Sequence, residues 1–201
     1  MEISAADVKV LRERTGAPMM ECKKALTEAQ GDLAQAEIVL ARRGVAAAAK
    51  KAERVAAEGS VGSYIHAGGK LGVLVEVACE SDFVARTDEF QQLVHDLAMH
   101  IAATGPRYVA REQIPAETLA AERARLREQA LATSPGKPAA VLEQIVEGRL
   151  AKFFEEHCLL DQHFIKDDKL TIGQLVAGKV AKFGENIQVR RYARFKVGAD
   201  E

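Results

Sequence analysis

The hydrophobic period of this chain switches from helical to strand-like and back again, and that switch limits its fold more than any other feature. Up to about residue 57 apolar side chains recur at helical steps, but beyond Gly59 they alternate through Val61 to His66, then Leu71, Val73, Val75 and Val77. Gly68-Gly69 separates the two runs and can take positive φ, so they read as an antiparallel hairpin. A third stretch, Ile187 to Val197, alternates again, with Ile187, Val189, Ala193, Phe195 and Val197 on one face and Arg190, Tyr192, Arg194 and Lys196 on the other. The expected core is a three-stranded antiparallel sheet completed from the far end of the chain. The remaining segments read as helices, which makes the class α+β.

Capping chemistry marks out the N-terminal helices. Ser4 with Asp7 has the spacing that satisfies free N–H groups at a helix start, and Ile3 and Val8 are placed to staple it. The first helix is expected to run to about Thr15 and break at Gly16. Pro18 suits the first turn of a second helix, which Gly31 ends. Asp32 with Gln35 opens a third, carrying Leu33, Ala36, Val39 and Leu40 and expected to stop at Gly44. Val45 to Ala57, mostly alanine, lysine and glutamate, reads as a connecting helix with little bulk to bury. The expected domains are thus residues 1–54, a three-helix unit plus its connector, and residues 55–201, an α+β core.

Within that core, Phe90, Leu93, Val94, Leu97, Ala98 and Ile101 form one apolar stripe of a helix packed across the hairpin. A helical hairpin over residues 115–157 turns at Ser134-Pro135-Gly136-Lys137-Pro138, which neither helix could cross. Thr171 with Gln174 caps a further helix bearing Ile172, Leu175, Val176 and Val180.

Composition narrows the function classes. The 28 Lys and Arg against 29 Asp and Glu leave a net charge of −1, which excludes a generally basic nucleic-acid coat. Cys22, Cys79 and Cys158 form no CxxC pair, so no zinc knuckle or redox dithiol is expected, and a reduced, cytoplasmic setting fits. No export signal or membrane span is read from the sequence.

Catalytic constellations are scarce. Gly173 to Lys179 spells a phosphate-loop pattern, but Val180 stands where a magnesium ligand belongs, and the same residues carry a helical apolar face. His95 and His100 are five apart, off the four-residue spacing of paired helix ligands, and read as partly exposed helical histidines. Asp167 and Asp168, between Lys166 and Lys169, read as a solvated turn. The basic strand face from Arg190 to Lys196 carries a single aromatic, Tyr192, too few for an RNA-stacking sheet, and reads as the wet side of the sheet. No metal, cofactor or covalent chemistry is expected, and no direct contact with nucleic acid.

The residues that fit neither periodicity are the informative ones. In Glu80-Ser81-Asp82-Phe83-Val84-Ala85-Arg86 a phenylalanine follows directly on a strand, outside both the sheet alternation and the stripe that begins at Phe90. It is either tucked under its loop or offered to a partner as an anchor. Met19 and Met20, at a helix start, pose the same choice.

These stretches resemble the signatures of bacterial elongation factor Ts. Val10-Leu11-Arg12-Glu13-Arg14-Thr15-Gly16-Ala17-Pro18-Met19-Met20-Glu21-Cys22-Lys23-Lys24-Ala25-Leu26 is similar to that family's N-terminal motif. Glu80 to Arg86 resembles a second, and Gly184-Glu185-Asn186-Ile187 with Arg190-Arg191 a third. Pro18 and Ser81 depart from the Gly and Thr of many members, and the length matches the short form.

The resemblance implies a ubiquitin-associated-like N-terminal fold and guanine-nucleotide exchange on elongation factor Tu. It further implies contacts with that partner through Arg12, Met19, Met20, Lys23, His66, Phe183 and Gly184. Ser81, Asp82, Phe83 and Val84 are implied to dislocate the partner's magnesium, with Phe83 as the wedge. Short members are expected to compensate for a missing second sheet subdomain by forming a homodimer.

Overall fold

A computed structural model describes residues 3–199, which form two compact units: residues up to 102 together with those from 173 onward, and residues 103–172. In the first unit, α1 (Ala5–Thr15), α2 (Met19–Glu28) and α3 (Leu33–Lys51) enclose a small core of Val8, Leu11, Cys22, Ala25, Leu26, Ala36 and Val39. The Ser4 hydroxyl accepts from the Asp7 amide and the Asp32 carboxylate from the Gln35 amide, as the capping pattern requires. Gly16 ends α1 at φ +67°. Pro18 is the N-cap of α2 rather than a residue of its first turn.

The third helix differs from its expected length. It continues through Gly44, a buried position, to Lys51, and a Cβ at Gly44 would stand 3.5 Å from the Ala177 carbonyl oxygen, an ordinary contact. The glycine is a buried residue of the helix interior and not a terminator.

The sheet joins β1 (Glu58–Ile65) and β2 (Leu71–Cys79), followed by the one-turn helix α4 (Asp82–Ala85) and by α5 (Asp88–Thr104), which covers one sheet face. Gly62 of β1 faces Val94 of α5 so closely that a Cβ would overlap the valine side chain. Val73, Val75 and Val77 are buried beneath α5 along with Leu97 and Ile101. His100, expected to be partly exposed, is fully buried, whereas His95 is exposed with its ring 6.0 Å from that of Tyr64.

The second unit holds α6 (Ala116–Thr133) and α7 (Ala139–His157), the expected helical hairpin, closed around Leu126, Ala130, Val146 and Leu150. A small ribbon of β3 (His163–Phe164) and β4 (Asp167–Thr171) follows, so Asp167 and Asp168 open a short strand rather than lie in a turn.

Helix α8 (Ile172–Phe183) leads to β5 (Gln188–Lys196), which completes the sheet in the order β1-β2-β5, all antiparallel. The strict alternation expected for β5 fails at one point. Glu76 pairs with Arg191 but Val77 with Val189, leaving Arg190 as an extra, bulged residue. The bulge reverses the faces beyond it. Tyr192 and Arg194 lie opposite Val75 and Val73 on the covered face, while Phe195 (67% exposed) and Val197 (71%) face outward with Ile65 and Leu74. Beyond the bulge the apolar set of this strand is thus the exposed one, while Val189 before it lies opposite buried Val77.

Candidate functional site

The site is built on the segment after β2. Ser81 has an extended backbone, and its hydroxyl accepts from the Val84 amide, which starts the single turn of α4. Thr87 donates its hydroxyl to the Val84 carbonyl and accepts from the Phe90 amide, while the Gln91 side chain donates to the Ala85 carbonyl at 2.7 Å. Only Ala85 of this turn is buried. Phe83 is 84% exposed, so the alternative of a ring tucked under its own loop does not hold. Asp82 beside it pairs with Arg86 at 2.9 Å, an exposed i,i+4 ion pair of small energetic weight.

Two carboxylates tie this segment to the one between α8 and β5. Glu185 accepts from the backbone N–H groups of Glu80 (3.2 Å) and Ser81 (3.0 Å), and its second oxygen accepts the Ser81 hydroxyl. In return, Glu80 accepts from the Asn186 amide at 2.6 Å and pairs with Arg54. The buried Asn186 side chain donates to the carbonyls of Ala52 and Arg54, and Lys51 donates to the carbonyl of Gly184. The thiol of Cys79 donates to the Ser81 carbonyl at 3.1 Å, and burial pushes it above its ordinary pKa, so it stays protonated.

This arrangement brings together Ser81, Asp82, Phe83 and Val84 with Gly184, at whose helix end Phe183 is half-buried. Arg12, Met19, Met20 and Lys23 are all exposed on α1 and α2, so the two methionines belong to the surface and not to the small core. Met20 and Lys23 line a shallow groove with Thr27, Glu28 and Arg43. Lys182 of α8 lies over Gly16, where a Cβ would stand 3.1 Å from its Nζ, and pairs with Glu89 at 2.6 Å. Burial acts to raise the Glu89 carboxyl, but Lys179 and Lys182 outweigh it and hold it below the usual range. His66, on the exposed hairpin end, shares a hydrogen bond with the Tyr64 hydroxyl at 3.0 Å.

The remaining candidates resolve into structural roles. Gly173 to Lys179 lies within α8, and Lys179 pairs with Glu89. Arg190 and Arg194 donate to the carbonyls of Ala56 and Ala102, and Arg191 pairs with Glu76. These guanidinium groups are engaged within the chain rather than forming a free basic face. Among the described residues there is no cluster of three metal-ligating side chains, and no helix is long and apolar enough to cross a membrane.

Sequence reasoning missed the bracing set of Lys51, Arg54, Glu80, Glu185 and Asn186. Its visible traces were Glu80 at the head of the Glu80–Arg86 stretch and the Gly184-Glu185-Asn186 stretch, neither of which carries a periodic signal or hints at a partner some hundred residues away.

Comparison with known proteins places these features in a family. The Elongation factor TS profile matches residues 33–199. Elongation factor Ts of Koribacter versatilis is 62% identical over 198 residues, 98% of this chain and 90% of that protein. The Solibacter usitatus protein of the same name is 58% identical, covering 98% of this chain and 92% of its own. That of Moorella thermoacetica is also 58% identical, over 98% and 96%.

Because the Phe83 ring lies in solvent, Phe83→Ala is expected to change folding free energy by no more than about 0.5 kcal/mol. For a chain of this size that is a melting-temperature shift within about 2 °C. A larger fall in a thermal melt would show that the ring packs against the chain.

Proposed function

The chain belongs to the elongation factor Ts family, and from that premise we propose that it is a guanine-nucleotide exchange factor for elongation factor Tu. The observation that carries this reading is the exposed ring of Phe83 on a turn whose backbone is hydrogen-bonded on both sides. An aromatic group held out in water is a cost to a lone protein and an anchor for a bound one.

Exchange in this reading needs no covalent step. Phe83 inserts between helices of Tu, with Ser81, Asp82 and Val84 against the same region, and the insertion shifts the partner's switch and disturbs the magnesium that holds GDP. Arg12, Met19, Met20 and Lys23 dock the N-terminal helices on the nucleotide domain, and His66, Phe183 and Gly184 add contacts. The exposed methionines suit such a surface, because an unbranched thioether adapts its shape to what it meets. The cytoplasm is the setting, since Tu works there with aminoacyl-tRNA and the ribosome.

A second copy of the chain covers the outer sheet face in the same reading. Ile65, Leu74, Phe195 and Val197 leave an apolar strip across all three strands, and Ile65 arches over Gly72 to form one wall of a groove with Phe195. A flat apolar sheet face packs well on its own two-fold copy. Light scattering at tens of micromolar is expected to give twice the mass of one chain, and Phe195→Glu to return the single mass. A single mass for the unaltered protein would reject the dimer.

For exchange, the test is the release of fluorescent GDP from Tu. Loss of an inserted aromatic anchor costs about 2–4 kcal/mol, so Phe83→Ala is expected to slow stimulated release at least about tenfold. Asp82→Ala is expected to have a smaller effect, since its carboxylate is half exposed. Full activity of a folded Phe83→Ala protein would contradict the wedge.

A further inference from the structure

An exposed ring has no neighbours to aim it, so the direction of Phe83 is set by the backbone that carries it. That backbone is a single four-residue turn, far too short to hold itself in water. Its N-terminal groups are held from outside. The carboxylate of Glu185 takes the N–H groups of Glu80 and Ser81 on one oxygen and the Ser81 hydroxyl on the other. That hydroxyl accepts in turn from the Val84 amide, so a relay runs from Glu185 through Ser81 to the residue after Phe83. Glu185 is fixed as well: Lys51 holds the carbonyl before it, Glu80 holds the amide after it, and the Asn186 side chain ties the next position to residues 52 and 54.

We propose that Glu185 is a positioning residue for exchange: it touches no partner atom, but its carboxylate holds the turn of α4 so that Phe83 stands in the direction from which it inserts. This rests on the reading of Phe83 as the inserted group. A hydrogen bond to a charged group is strong enough that its loss is worth roughly tenfold or more in an equilibrium. The loss is expected in the step that uses the ring, and not in the docking made by α1 and α2.

The experiment is a cycle of four proteins, unaltered, Glu185→Ala, Phe83→Ala and the double variant, with Glu185→Gln beside them. Each is assayed for GDP release from Tu over a range of concentrations. Glu185→Ala is expected to lower the maximal stimulated rate roughly tenfold while moving the half-saturating concentration far less. In the Phe83→Ala background it is expected to have almost no further effect, because the ring it aims is gone. Glu185→Gln, which keeps an oxygen for the two N–H groups, is expected to recover part of the rate. If Glu185→Ala fails to fold, the Gln variant carries the same cycle with a smaller loss.

Multiplicative losses in the double variant would overturn the proposal, as would full activity of Glu185→Ala beside a crippled Phe83→Ala. Full activity of Phe83→Ala would instead bring down the wedge reading on which the proposal rests.

Discussion

Between the segment at residues 80–81 and that at 185–186 run three crossed hydrogen bonds, each glutamate accepting from the other segment's backbone. Both segments are loop backbone, whose polar groups have no ladder partner and would be costly to leave unpaired where they are shielded from water. A carboxylate suits this place because one side chain can accept several N–H and O–H groups together, and bonds to an ionised acceptor are the stronger kind. Three further parts of the first unit are tied to this knot. The end of α3 reaches it through Lys51, the connection from α3 to β1 through Arg54, and the end of α8 through Gly184. Among the described residues no buried side-chain polar atom lacks a partner, so the polar knot is satisfied within the chain.

On the proposed reading, the same knot lets a small protein keep an aromatic ring exposed and still aimed. Packing under the ring would fix its direction but take it away from a partner. Bracing the backbone beneath it leaves the ring free and would limit the entropy lost in the proposed insertion. On the proposed reading, the N-terminal helices contribute affinity through a broad, adaptable surface, and the braced turn converts that affinity into disturbance of the nucleotide site. α3 runs unbroken from the Asp32 cap to Lys51, so one continuous helix leads from the N-terminal helices to the braced turn.

Much of this was legible in the sequence, for local reasons. Ser4, Asp32 and Gly16 announce helix ends because capping is a matter of a few neighbouring residues, and Gly68-Gly69 announces the hairpin because both take positive φ, +89° and +69°. Phe83 was legible as a misfit to both periods, although the sequence could not choose between a tucked and an offered ring. The faces of β5 were misread because one bulged residue, Arg190, shifts the alternation by one, and a bulge is a property of the pair of strands rather than of either. Gly44 was misread as a stop because its burial beside the backbone at Ala177, far along the chain, leaves no local mark in the sequence. The brace of Glu80 and Glu185 joins residues 105 apart and has no periodic signature, so only the folded chain brings it into view.

On the proposed reading, exchange is a matter of differential binding. If the chain binds empty Tu more tightly than GDP-bound Tu, GDP must bind the complex more weakly by the same factor. The most direct measurement is the affinity of the purified protein for Tu in these two states, by calorimetry at one salt concentration. The account predicts tighter binding to empty Tu, by a factor equal to the weakening of GDP binding in the complex. Equal affinity for the two states would contradict it.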